Sequence, residues 1–174
     1  MHRLRLVLAL ACAPVVVCAQ TGTLKRPAPT DYRARALVLL RTVPLIDGHN
    51  DIPDAIRARG GLDSVDFAVP QPKLMTDLPR IRAGEMGAQF WAAYVPVTTM
   101  DSGPHPAVYA LEQIDLIHRL CAKYSRSMAM AYTAADVQRN FAAGKFSCLI
   151  GIEGGHAIEN SLGALRMFFS LAVR

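Results

Sequence analysis

Two short apolar runs end abruptly in acidic and imidazole side chains. The first, Val43 to Asp47, opens into Gly48-His49-Asn50-Asp51; the second, Phe146 to Glu153, opens into Gly154-Gly155-His156. A run of this length bounded by glycines predicts a buried parallel strand that surfaces into a loop. A third run, Gln89 to Val95, is rich in aromatic residues and predicts another strand, and Met128 to Tyr132 a shorter one. Helical spacing alternates with these runs. Leu111, Ile114, Ile117, Cys121 and Tyr124 recur at three or four positions within Pro106 to Tyr124 and predict the clearest helix. Its wet face pairs Asp115 with Arg119 at i,i+4. Asp31 to Arg41 predicts a helix with Tyr32, Leu37 and Leu40 on its apolar side, and Pro53 to Arg59 a short one. Asp77, with Pro79 close behind, opens another. Thr133 to Asp136 resembles a capping box with Asp in the final place, opening a helix that carries Val137 and Phe141 and stops at Gly144. Asn160 or Ser161 caps a last helix with Leu162, Leu165 and Phe169 on one face. Gly60 to Thr76 reads as an excursion.

Strand and helix in alternation specify the α/β class, with a parallel sheet and helical crossovers. Three strong strands and a fourth short one do not close a barrel. After the last helix comes the apolar Leu171-Ala172-Val173, where the alternation calls for a further strand, so the chain reads as the front portion of something larger.

Composition narrows the picture at the N-terminus. Arg3 and Arg5 precede an apolar stretch from Leu6 to Val17, and Val17-Cys18-Ala19 offers small residues for a cut after Ala19. Residues 1–19 are expected to be a signal peptide of an exported protein, periplasmic or extracellular; an N-terminal membrane anchor is the alternative. Residues 20–42 are then linker and N-terminal helix, and residues 43–174 the alternating strand-and-helix portion. Loss of Arg3 and Arg5 would lower a formal net charge of only +5, and the remaining basic residues are scattered, so no nucleic-acid footprint is expected. Of four cysteines, Cys12 and Cys18 belong to the leader; Cys121 and Cys148 read as two buried, unpaired thiols. A cysteine zinc site is not indicated, there being no Cys-x-x-Cys.

His49 and Asp51 are two apart and therefore share a face on an extended chain, offering an imidazole and a carboxylate to a divalent ion. Glu153 closes the second run, where a carboxylate is costly unless metal-bound or salt-bridged to an arginine. Asp47 is expected to hold loop backbone, His156 to hydrogen-bond behind the ligands, His118 to be structural and His105 to be solvated. Gly154-Gly155 allows close backbone approach without forming a nucleotide loop. No Gly-x-Ser-x-Gly is present, and neither remaining cysteine has an evident histidine partner, which leaves metal-assisted hydrolysis.

Four motifs then carry a resemblance: Pro44 to Asp51, Gly87-Ala-Gln-Phe-Trp91, Leu111 to Arg119, and Leu149 to His156. In this order they resemble the renal or membrane dipeptidases, from about residue 43 to the end of the chain. The resemblance implies the N-terminal part of a (β/α)8 TIM-type barrel, incomplete here, and zinc-dependent hydrolysis of dipeptides by metal-activated water. It implies that His49 and Asp51 bind one zinc and that Glu153 bridges two Zn2+ ions. The second zinc's histidines and the substrate-assisting residues would follow Arg174, so this chain alone is expected to be inactive. The family tends to dimerise, which extends to the full-length enzyme. Where the family usually has Gly and commonly Tyr, this chain has Ala172 and Phe169. A non-catalytic truncated pseudoenzyme or binding module, or another amidohydrolase-type hydrolase, is the alternative reading.

Overall fold

The computed structural model describes residues 31–174, and within them four strands form a single parallel sheet. The strands are β1 (Leu45–Asn50), β2 (Met86–Tyr94), β3 (Met128–Met130) and β4 (Phe146–Glu153), in the spatial order β1-β2-β4-β3. The helices are α1 (Tyr32–Thr42), α2 (Ile52–Arg57), α3 (Leu78–Ala83), α4 (Pro106–Lys123), α5 (Ala134–Ala142) and α6 (Leu162–Ser170). The expected signal segment, the linker up to residue 30, Cys12 and Cys18 lie outside the described residues.

Alternation along β2 and β4 sends side chains to two different layers. Trp91 and Ala93, with Cys148 and Ile150, enter the main core beneath α2 and α4, where the excursion contributes Leu62, Val65 and Phe67. Three aromatics organise that core: the Trp91 ring lies 6.2 Å from Phe67 edge-on and 6.0 Å from Phe146. On the opposite face Ala88 and Leu149 pack with Ala131 and with Val137 of α5.

Local signals account for the helix ends. Thr133 Oγ1 accepts from Asp136 N at 3.1 Å, and Asp136 Oδ2 accepts from Thr133 N and Tyr132 N at 2.9 Å each, completing the capping box. These backbone donors, with Arg139 beside them, hold the Asp136 carboxyl at a pKa of about 2. Asp77 caps α3 from a fully buried position, accepting from Gln71 N, Arg80 N and Arg80 Nε at 2.8–2.9 Å. Burial alone would raise its pKa, but the hydrogen bonds and the Arg80 charge outweigh burial and lower it. Asp77 thus anchors the far end of the 60–76 excursion.

Several boundaries and faces differ from expectation. The first strand begins at Leu45 and runs on through Asn50, so that His49 is a strand residue. It is not buried: among the described residues it pairs only with β2, and Leu45 and Ile46 are exposed. β2 starts at Met86, three residues before the aromatic run. No residue of α1 is buried; Leu37 and Leu40 are half-buried and Tyr32 is exposed. On α4 the core face is rotated from the expected stripe. Ile114, Ile117 and Cys121 are buried, but Leu111 is exposed and Ala110, Gln113 and Leu120 take its place. Gln113 is drawn inward because its amide donates to the Tyr94 carbonyl oxygen at 3.4 Å. Asp115 and Arg119 pair at 3.5 Å on the wet face, as read from spacing. On α6 only Phe168 is buried, while Leu162, Leu165 and Phe169 face outward. Past α6, Val173 pairs in parallel with Ile150, beyond the point where β3 leaves β4. This single bridge lies where the alternation calls for the next strand.

Candidate metal centre

His49 is the penultimate residue of β1, Asp51 sits at the N-cap position of α2, and Glu153 is the last residue of β4. β2 lies between the two strands, and its Tyr94 is in register with Glu153. Both strands therefore end at the same rim of the sheet, the carboxyl end, where parallel α/β folds place their ligands. His49 Nε2 lies 3.0 Å from Asp51 Oδ1 and 3.2 Å from Glu153 Oε2. One donor atom from each of the three lies within 4.8 Å of the others.

This donor set suits a divalent cation. Tetrahedral bonds of about 2.0 Å separate neighbouring ligand atoms by about 3.3 Å, close to the spacings seen. One imidazole nitrogen and two carboxylates also carry the charge a divalent ion needs, and zinc, manganese and iron all accept such ligands. The Glu153 side chain is 46% exposed, contrary to the expectation of a buried carboxylate. Burial of β4 is complete up to Ile150 and falls off over its last three residues, where the strand passes the edge of the helical layer.

The other histidines do different work. His156 Nε2 donates to the Pro96 carbonyl oxygen at 3.3 Å and holds the turn after β4. Gly154 makes that possible: its φ is +114°, and a Cβ there would sit 2.7 Å from the His156 ring. His118 Nε2 donates to the Leu171 carbonyl oxygen at 3.0 Å and ties α4 to the end of α6. His105 is exposed at the start of α4. Asp47 Oδ1 accepts from His49 N at 3.3 Å, the backbone role expected of it. Cys121 and Cys148 are buried and unpaired, and burial together with the neighbouring Cys121 pushes the Cys148 thiol well up.

Three residues beside the centre escaped the sequence reading. Asn50 Nδ2 donates to Thr76 Oγ1 at 2.8 Å and to Gln89 Oε1 at 3.3 Å, and Asn50 Oδ1 accepts from Ile52 N at 3.0 Å. Gln89 Nε2 donates to the Asp47 carbonyl oxygen at 3.2 Å. The available signal was a carboxamide placed among the apolar residues of the aromatic run. A cleft of about 320 Å³, lined by His49, Phe90, Gly151, Glu153 and Arg174, opens beside the donors. Among the described residues no helix is long and apolar enough to cross a membrane.

Comparison with known proteins points the same way. Residues 33–174 match the family described as membrane dipeptidase, peptidase family M19. The chain is 44% identical over 154 residues to human Dipeptidase 3, covering 85% of this chain and 29% of that protein. It is 42% identical over 156 residues to Dipeptidase ataJ of Aspergillus terreus, covering 82% of this chain and 37% of that one. Among solved structures, a metallo peptidase from Rhodobacter sphaeroides bound to a phosphinate mimic of the dipeptide L-Ala-D-Ala is 26% identical with a TM-score of 0.58, over 76% of this chain and 44% of that one. The probable dipeptidase PvdM from Pseudomonas aeruginosa superposes with a TM-score of 0.67 over 84% of this chain and 37% of that one; at 17% identity it speaks to the fold alone. The chain thus spans 29% and 37% of the lengths of the two dipeptidases matched by sequence.

Proposed function

The chain belongs to the membrane dipeptidase family, peptidase family M19, and from that premise we propose that it forms the first part of a zinc-dependent dipeptidase on a (β/α)8 barrel. One observation carries the reading: His49 at the end region of β1, Asp51 at the cap of α2 and Glu153 at the end of the non-adjacent β4 bring their donor atoms within 4.8 Å of one another. In this reading His49 and Asp51 would hold one zinc and Glu153 would be shared with a second, whose further ligands the family pattern assigns to residues outside this chain. When bound, the metal supplies Lewis-acid activation of water and of the scissile carbonyl. The chain's own residues hold that site open at the rim: the Glu153 and Asp51 carboxylates offset the cation's charge, and the cleft beside them admits a small peptide. The dipeptide mimic bound by the Rhodobacter sphaeroides enzyme supports dipeptides, including those with a D-residue at the C-terminal side, as substrates. Residues 1–19 act as the export signal, 20–42 as linker and N-terminal helix, and 43–174 as the barrel portion; the enzyme works outside the cytoplasm, as a homodimer, with no nucleic-acid partner.

Zinc retained after dialysis against a buffered Zn2+ solution tests the site. The wild-type chain is expected to keep zinc, and His49→Ala and Glu153→Gln to lose it; equal zinc in all three would refute the assignment. Hydrolysis of L-Ala-D-Ala, assayed with a protein carrying the whole family domain, is expected to vanish with a chelator and return with Zn2+. The 174-residue chain alone is expected to give no detectable turnover.

A further inference from the structure

The segment that carries two of the three donors is irregularly paired with the sheet. β1 and β2 pair regularly at Asp47↔Gln89 and again at Asn50↔Trp91, with a register shift between them. Gly48 and His49 fall in that gap, on an edge strand with no second neighbour among the described residues. Edge backbone at a register shift is expected to be less firmly held, yet His49 Nε2 must stay close to Asp51 and Glu153 for the three to act together.

Side chains bridge the gap. Gln89 is 0% exposed, and its two polar ends face opposite sides of the register shift. Nε2 donates to the Asp47 carbonyl oxygen on the near side, and Oε1 accepts from Asn50 Nδ2 on the far side. Asn50 sits in sequence between the two donors, His49 and Asp51, and on the opposite face from both. Its carboxamide is fully engaged: Nδ2 also reaches Thr76 Oγ1 at the end of the excursion, and Oδ1 accepts from Ile52 N at the start of α2. A buried amide is costly unless its hydrogen bonds are made, so this arrangement locks Gln89 as firmly as it locks the loop.

Resting on the cation site proposed above, we infer that Gln89, acting through Asn50, is a positioning residue for that site: its side chain ties together the two sides of the register shift and fixes the segment that presents His49 and Asp51. Groups that orient metal ligands in this way typically contribute 10- to 100-fold in metal affinity. A purely structural role would change stability and leave the coordination geometry of the folded protein alone.

The test is metal binding by the full chain, with Zn2+ affinity measured by chelator competition and coordination read from the visible absorption of the Co2+ form. Gln89→Met keeps the bulk and removes both hydrogen bonds; Asn50→Ala, at a half-buried position, serves if the first variant does not fold. Each is expected to bind Zn2+ about 10- to 100-fold more weakly, with an altered Co2+ band, at a temperature where circular dichroism shows the chain folded. The double variant should lose little more than the worse single one, since the two residues act as one chain. Wild-type affinity and an unchanged Co2+ band in the folded variants would overturn the inference while leaving the cation site intact. Failure of the wild-type chain to bind either metal would overturn both.

Discussion

Two helix ends show how much a single residue's conformation is worth. After α5, Gly144 N donates to the Phe141 carbonyl and Lys145 N to that of Asn140; after α6, Ala172 N donates to Phe169 and Val173 N to Phe168. Both are Schellman closures, which require positive φ at the first residue past the cap. Gly144 has φ +68° and Ala172 has φ +80°. An L side chain in that region costs about 1–2 kcal/mol, so Gly144→Ala, which meets no other atom within 4 Å, is expected to lower stability by about 1 kcal/mol. Ala172 already bears that cost, but its methyl is fully buried in the core. Losing a buried methyl costs about 0.8 kcal/mol and the added freedom of glycine about 0.5–1 kcal/mol. Ala172→Gly should therefore shift stability by less than about 0.5 kcal/mol. Urea denaturation of both variants checks the pair; a large gain from Ala172→Gly would show that the strain exceeds the packing.

At the scale of the element, capping ties α5 to pH. The Asp136 carboxyl is held at about 2, below its ordinary 3.8, by the Tyr132 backbone N–H first and then by Arg139. A carboxylate with a depressed folded-state pKa stabilises the fold above its unfolded value and loses that contribution as pH falls through the folded one. The stability gap between wild type and Asp136→Asn should be constant above pH 5 and shrink as the pH drops from 3.8 toward about 2. Comparing the two proteins cancels the other carboxylates; a gap that does not change over this range would mean that folding does not lower the Asp136 pKa. The elements that matter to the site are held in a similar manner, by polar contacts in short turns: Asp77 closes the excursion, and the excursion's Thr76 reaches Asn50 beside the donors.

For the whole molecule, the uncovered surfaces are the telling feature. Leu162, Leu165 and Phe169 of α6 are each about half exposed or more, Leu165 and Phe169 line an apolar groove, and β1 presents Leu45 and Ile46 on a parallel edge that is open among the described residues. Exposed apolar faces and unpaired strand edges promote association between copies. The chain should self-associate as its concentration rises, and the double change Leu165→Ser with Phe169→Ser should reduce light scattering at equal concentration while leaving the circular dichroism unchanged. Scattering equal to that of the wild type would place the sticky surface elsewhere, with the β1 edge next in line.

Local rules were legible in the sequence wherever neighbours in the chain decide the outcome. β4 runs over the residues its apolar pattern marked, the capping box forms at Thr133 and Asp136, and Gly144 ends α5, because each depends on contacts within a few residues. The pairing of His49 with Asp51 on one side followed from the period of an extended chain, and the Glu153 motif from the abrupt end of its run. Burial was less legible: the outward faces of β1 and α6 and the turned face of α4 depend on which neighbours are present, and periodicity marks an apolar face without naming what covers it. Only tertiary structure brought Glu153 to within 3.2 Å of His49, and only it assigned Gln89 to the register shift in β1. Both depend on β2 lying between β1 and β4 in a particular register, and register is set by side-chain packing across strands distant in the chain, where no local pattern can encode it.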